Sequence, residues 1–254
     1  MKKKILSLCM VGALAATAVG GTLAYFTDTD TAENVMTTGK VDIAQYEQQF
    51  DEEGALEDFE QNKALMPMVD AREDKTADPV VNGFFDSKMN NVVDKIVTVK
   101  NEAKDGAINQ DAYVRTILAF ETNTEYEAGK DTVLRDGKEI FNTYIGTLGD
   151  FELLDRDTIE VNGVEYVLAV KVYEKALVPQ EVSEPSLKQI FLSPNANNEV
   201  ATLFGDDYTI LALSQGAQTA GFDTAEAALD AAFGNVETID EATLIEWLSA
   251  CVTE

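Results

Sequence analysis

An all-β, jelly-roll-like antiparallel sandwich with a short C-terminal helical appendage is the fold this sequence predicts. Three observations carry that expectation. From Val41 to about residue 216 the dominant hydrophobic period is two, the spacing of a strand with one face in a core. Turn residues separate runs of uneven length, eight or nine strands in all, which favours a sandwich over a meander. Only after residue 222 does the period lengthen to that of a helix.

The chain opens with an export signal. Lys2, Lys3 and Lys4 form a positive n-region, Ile5 to Val19 an uncharged Ala-rich run, and Gly20-Gly21 a break. Thr22-Leu23-Ala24 then offers the small residues that a signal peptidase reads, so the cut is expected between Ala24 and Tyr25. The uncharged stretch continues to Phe26, and an uncleaved anchor is the rival reading. Its Ala and Gly content, and a small-residue site where a stop-transfer flank should stand, favour cleavage. The expected organisation is a signal peptide over 1–24 and a single secreted domain over 25–254, with the membrane involved only before cleavage.

Residues 25–40 are mostly polar and lack a turn signal, which makes them a candidate donor strand. The first strand of the domain body starts near Val41-Asp42-Ile43 and runs through Tyr46. Asp51-Glu52-Glu53-Gly54 reads as a type I turn returning the chain onto Leu56 to Phe59, with a short helix as the alternative. Residues 66–92, with Pro67, Pro79 and scattered charges, read as a long surface excursion. Lys95 to Lys100 and Val114 to Phe120 alternate as strands, with a loop over 101–111 between them. Asn162-Gly163 predicts a two-residue type I′ hairpin, because both residues tolerate positive φ. The strand that follows is apolar on both faces from Tyr166 to Val170 and should be central. Further strands are expected at Leu187 to Leu192 and Tyr208 to Leu213.

In the helical part over 222–254, Asp223-x-x-Glu226 and Thr238-x-x-Glu241 read as capping pairs. Ala225, Leu229, Ala232 and Phe233 make one apolar face, ended by Gly234. Leu244, Trp247, Leu248, Cys251 and Val252 make the second, which points the Cys251 thiol into the core.

Composition excludes several functions. Cleavage removes three of the 19 basic residues and none of the 46 acidic ones, leaving 16 against 46 and a net charge of −30 on 230 residues. Nucleic acid and anionic lipid repel such a chain. Histidine is absent, which removes Ser-His-Asp and Cys-His nucleophilic sites and His-ligated zinc, iron or copper. Of the two cysteines, Cys9 lies in the signal, so the mature chain forms no internal disulfide. Ser186-x-Lys188 is too short a pattern to select a nucleophile, and 46 carboxylates select no glycosidase pair. No catalytic residue and no enzyme activity is predicted. No cofactor is predicted either; the ion that the acidic loops suit best is a weakly held Ca²⁺. Asp28-Thr29-Asp30-Thr31-Ala32-Glu33-Asn34 begins like a calcium loop but lacks the Gly and Glu of an EF-hand. Another carboxylate-rich run spans Asp150 to Asp157. Arg115, on the face of Tyr113 and Ile117, is expected to stack on an aromatic or pair with a carboxylate.

The stretch from Gly21 to Ile43 resembles the N-terminus of the TasA/camelysin family, Gram-positive proteins exported through a SipW-type signal peptidase. Phe26, Asp28, Gly39, Val41, Asp42 and Ile43 fit that pattern. Val97 to Asn101 and Asp111 to Arg115 resemble a pair of neighbouring strands in the same family, while Met68 departs from a Gly found after Pro in relatives. The resemblance implies a secreted biofilm-matrix or surface fibre subunit that polymerises with its own copies and meets other matrix or surface proteins. Its assembly segment would include Tyr25, Phe26, Thr27, Asp28, Asp30 and Val35. A monomeric secreted or cell-surface binding module, Ca²⁺-dependent or not, is the alternative. The camelysin branch carries a metalloprotease label, which no ligand set here supports. N-terminal sequencing of the exported protein is expected to begin at Tyr25; a membrane-bound product starting at Met1 would overturn the signal reading.

Overall fold

A computed structural model of the protein describes residues 27–30, 41–102, 111–122, 132–135, 138–141, 145–194, 196 and 208–252. Two antiparallel sheets face each other. The strands of the first are β1 (Thr27–Asp30), β9 (Ala112–Thr122), β13 (Glu152–Leu153), β14 (Ile159–Val161), β15 (Val164–Val172) and β17 (Ile210–Gln218). They run in the order β1-β17-β9-β15-β13, with β14 also beside β15. The second sheet has β2 (Ile43–Phe50), β3 (Leu56–Asp58), β8 (Val92–Asn101), β10 (Thr132–Arg135), β11 (Lys138–Phe141), β12 (Ile145–Gly149) and β16 (Leu187–Leu192). Their order is β10-β11-β12-β16-β8-β2-β3. The first and last strands are neighbours, and the long strands pass back and forth between sheets, as in a jelly roll.

The predicted turns form where local chemistry is strong. Asn162 (φ 53°) and Gly163 (φ 84°) join Val161 to its partner Val164, the expected type I′ hairpin. At 51–54 the Gly54 N–H donates to the Asp51 carbonyl at 3.1 Å, and Phe50 pairs with Leu56 across β2 and β3. The return is therefore a strand, not the alternative helix.

The described residues form seventeen strands, more than the eight or nine expected; ten of them have four residues or fewer, and pairings this short leave no periodic trace in the sequence. The excursion at 66–92 is one source of them. Its β4 (Val69–Asp70) pairs with β7 (Met89–Asn90), and β5 (Val80–Val81) with β6 (Phe84–Phe85). It lies on the second sheet: the Phe85 N–H donates to Gln189 Oε1 at 2.7 Å, and Phe85 and Met89 pack on Phe191. Met68 is held there too, its N–H on the Leu192 carbonyl at 2.8 Å.

The first sheet is buried on both faces. Leu118, Phe120, Val167, Ala169 and Ala212 meet Val97, Ile145, Leu187, Ile190 and Leu192 of the second sheet. On the reverse lie two C-terminal helices, α1 (Ala225–Phe233) and α2 (Glu241–Ala250): Ile117, Ala119, Leu168, Leu211 and Leu213 meet Leu244 and Leu248 of α2, and Ala217 meets Ala225, Ala228 and Leu229 of α1. Burying each such side chain contributes about 1.5–3 kcal/mol. This is why β15 reads apolar on both faces.

The helix starts differ from expectation. Thr224, not Asp223, caps α1, its side chain accepting from the Ala227 N–H. Asp240, not Thr238, caps α2, accepting from the Thr243 N–H. Both caps are extended in backbone, which lets the side-chain oxygen fold back onto the first turn. Gly234 ends α1 at φ 90°, as predicted. Leu244 and Leu248 are fully buried, Trp247 and Cys251 half-buried, and Val252 exposed, so the apolar stripe narrows at its end.

Arg115 fastens the helices to the first sheet. It is 2% exposed and donates from Nε to Gln215 Oε1 (2.8 Å), from Nη1 to Asp230 Oδ1 (3.2 Å) and from Nη2 to the Gly234 carbonyl (3.0 Å). Its guanidinium also stands 5.8 Å from the Phe233 ring centroid. Burial pulls its pKa down to about 10 against the opposing pull of Asp230, so it stays charged at neutral pH. Removing the counter-charge leaves that cation poorly compensated. Asp230→Ala should cost about 1–3 kcal/mol in a denaturant melt, below the roughly 3–5 kcal/mol of a fully buried pair because Asp230 is partly solvated. An unchanged midpoint would contradict the fastening role.

Candidate functional site

β17 is the strand around which the candidate site is built. On one side it pairs with β9 from Ile210↔Phe120 to Gln218↔Ala112. On the other it takes β1, with Thr27↔Ala217, Asp28↔Gly216, Thr29↔Gln215 and Asp30↔Ser214. The N-terminal segment thus satisfies part of an edge that would otherwise present bare N–H and C=O groups.

The acceptor strand is held from both faces. Toward the second sheet, Ser214 Oγ donates to Gln45 Oε1 at 2.7 Å, and Gln45 Nε2 donates to the Ala212 carbonyl at 3.1 Å. Thr116 Oγ1 lies 3.2 Å from Ser214 Oγ, extending this polar seam into β9. Toward the helices, Gln215 accepts from Arg115, and Ala217 packs with Ala225, Ala228 and Leu229. Gly216 lets β2 come close: a Cβ there would stand 3.0 Å from both Ile43 Cγ2 and Val41 Cγ1.

A second buried polar link closes the same end of the sandwich. Asn101 is fully buried at the end of β8; its Nδ2 donates to the Leu177 carbonyl (2.9 Å), and its N–H to the Glu181 carbonyl (3.0 Å). The Ala112 N–H also reaches the Leu177 carbonyl (2.9 Å). The segment around 177–183 therefore ties β8 to β9 beside the row where β17 ends.

Of the residues that the sequence assigned to assembly, Thr27, Asp28 and Asp30 lie in β1. Ala24, Tyr25, Phe26 and Val35 lie outside the described residues, as do the signal peptide and Gly39. Thr27 to Asp30 sit in extended backbone paired with β17, while Thr31, Ala32, Glu33 and Asn34, the rest of the stretch that begins like a calcium loop, lie outside the described residues. Along Asp150 to Asp157 the carboxylates are dispersed. Asp150 binds Lys171, while Arg156 donates to the Val236 carbonyl at 2.8 Å. Among the described residues no three acidic, Cys or His side chains gather into a metal-holding group. Ser186 Oγ faces the Val97 carbonyl at 3.4 Å, whereas Lys188 Nζ stands 5.6 Å from the Phe84 ring centroid, so the pair serves separate contacts. Cys251 Sγ faces the Ala212 carbonyl at 3.6 Å. No helix among the described residues is long and apolar enough to cross a membrane.

Sequence reading missed the acceptor half of the site: Gln45, Ser214, Gln215, Gly216 and Ala217. Its one legible signal is a Gly amid small and polar residues directly after a strand, a pattern associated with close backbone approach.

No family model, curated protein or solved structure matches the chain.

Gly216→Val should destabilise the protein by about 1–3 kcal/mol, since two branched methyls must enter a contact that is already tight. A thermal melt unchanged from the parent would show that β2 does not rest on this point.

Proposed function

We propose that the mature chain is a secreted fibre subunit of an extracellular matrix or cell surface, resembling TasA, which polymerises by lending its N-terminal segment as a strand to the next copy. The observation that carries this reading is the seating of β1 on β17: four consecutive residues in antiparallel register, separated from β2 by residues 31–42. A segment complementary to its own sheet edge is equally complementary to the same edge on another copy.

The energetics suit exchange. A net gain of about 0.5–1.5 kcal/mol per hydrogen bond, against about 1–2 kcal/mol per ordered residue, makes a four-residue pairing marginal. The acceptor strand is fixed by Gln45, Arg115 and the helices, so opening β1 need not disturb it. A short tether keeps the segment at an effective concentration on the order of mM, which favours the closed monomer in dilute solution. The charge of −30 adds repulsion between copies. Acid, salt or divalent cations should therefore promote extension, with protonation acting as pH approaches the carboxylate reference values of about 4.

The same seating favours the second reading, a closed monomeric binding module, and one experiment separates them. The chain over 25–254 is compared with one beginning at Thr37, at high salt and across mildly acidic pH, by size-exclusion chromatography and negative-stain microscopy. The fibre reading expects filaments from the longer chain and a folded monomer from the shorter. Equal filaments from both would refute strand donation, and none from either would favour the monomeric module.

A further inference from the structure

The β2–β3 and β5–β6 hairpins share an apolar surface. Phe50, Leu56 and Val81 are 38%, 51% and 52% exposed, values that are ordinary for isolated side chains. These side chains are not isolated. Phe50 pairs with Leu56 across one hairpin, Val81 with Phe84 across the other, and the Phe50 and Phe84 rings meet edge to face at 5.3 Å. A connected exposed apolar surface of this kind on a secreted chain marks a contact site.

Its rim has a direction. On the β2–β3 side stand Glu52, Glu53 and Asp58, exposed and without an ion-pair partner among the described residues. On the other side Lys188 reaches over Phe84, its ammonium against the Asn82-Gly83 turn, 2.8 Å from where a Gly83 Cβ would stand. We propose that this patch docks a polypeptide segment that places apolar side chains on Phe50 and Phe84 and basic ones against Glu52 and Glu53. Charge complementarity chooses that occupant. Another copy of a chain at −30, or an anionic membrane, would bring like charge to an acidic rim. The site does not depend on fibre formation, and a monomer would present it equally.

The test uses the mature chain over 25–254 and a fluorescent peptide of alternating lysine and leucine, with lysine–serine and glutamate–leucine peptides as controls. Binding is read by anisotropy at physiological salt. The doubly substituted Phe50→Ser, Val81→Ser chain should bind the lysine–leucine peptide at least about tenfold more weakly with unchanged circular dichroism. Glu52→Gln, Glu53→Gln should weaken it by a few-fold and flatten its salt dependence. Glu226→Gln, Glu237→Gln, on the helical side of the molecule, should leave it unchanged. Equal affinity in the Phe50/Val81 variant, or equal binding of the lysine–serine peptide, would overturn the proposal. Self-association at high salt that requires Phe50, or binding to phosphatidylcholine vesicles that requires it, without peptide binding, would overturn it in favour of a second copy or a lipid surface.

Discussion

An antiparallel sheet ends in rows of backbone N–H and C=O groups, and the way each row is covered constrains the rest of a sandwich. Here the constraint is sharpest at β17. Its body is held on both faces: Arg115 and Ala217 bind it to the helices on one, while Ser214 and Gly216 join it to β2 on the other. Its outer edge is covered by only four residues of β1, drawn from the far end of the chain. A rigid acceptor with a short, tethered cover differs from the other edge of the same sheet. There β13 and β14 follow β15 closely in space, and Arg156 binds the Val236 carbonyl of the helical region. The proposed exchange belongs to the edge whose cover is a terminal segment distant in sequence from the strand it covers.

The helices earn their place in the same argument. A sheet buried on one face only would leave Ile117, Ala119, Leu168 and Leu213 in water. With α1 and α2 in place, β9, β15 and β17 become interior strands of a three-layer stack. Arg115 makes the connection specific, since three of its hydrogen bonds end on β17 and on the last turn and cap of α1. A buried guanidinium stabilises little by itself, yet it penalises any arrangement of helix and strand that leaves it unpaired.

The parts of this fold that are legible in the sequence are those governed by local chemistry. Val164 to Val172 alternates little because it is covered twice, and Asn162-Gly163 has few backbone options besides a tight hairpin. Helix caps were harder, because Asp223 and Thr224, or Thr238 and Asp240, offer equivalent oxygens and only backbone geometry selects between them. The acceptor half of the site was illegible for a different reason. Ser214 to Gln218 has little strand propensity, and its burial comes from Gln45, Thr116 and Arg115, which lie far away in sequence. The β1 half is legible because it follows a stretch with the pattern of an export signal and no turn residue interrupts it. Thus one partner of the pairing is marked by sequence, and the other only by its tertiary surroundings.

Whether β1 stays on its own β17 or crosses to another copy can be read from a single covalent trap. Thr27 and Ala217 are register partners, so Thr27→Cys with Ala217→Cys, in a Cys251→Ser chain, places one thiol on each strand. Oxidation is carried out on dilute monomer and, separately, under fibre-forming conditions, followed by non-reducing denaturing electrophoresis. The account predicts an internally linked monomer in the first case, unable to polymerise afterwards, and a ladder of covalent multimers in the second. Filaments that form from the internally linked chain, or that dissolve entirely into internally linked monomers, would contradict it.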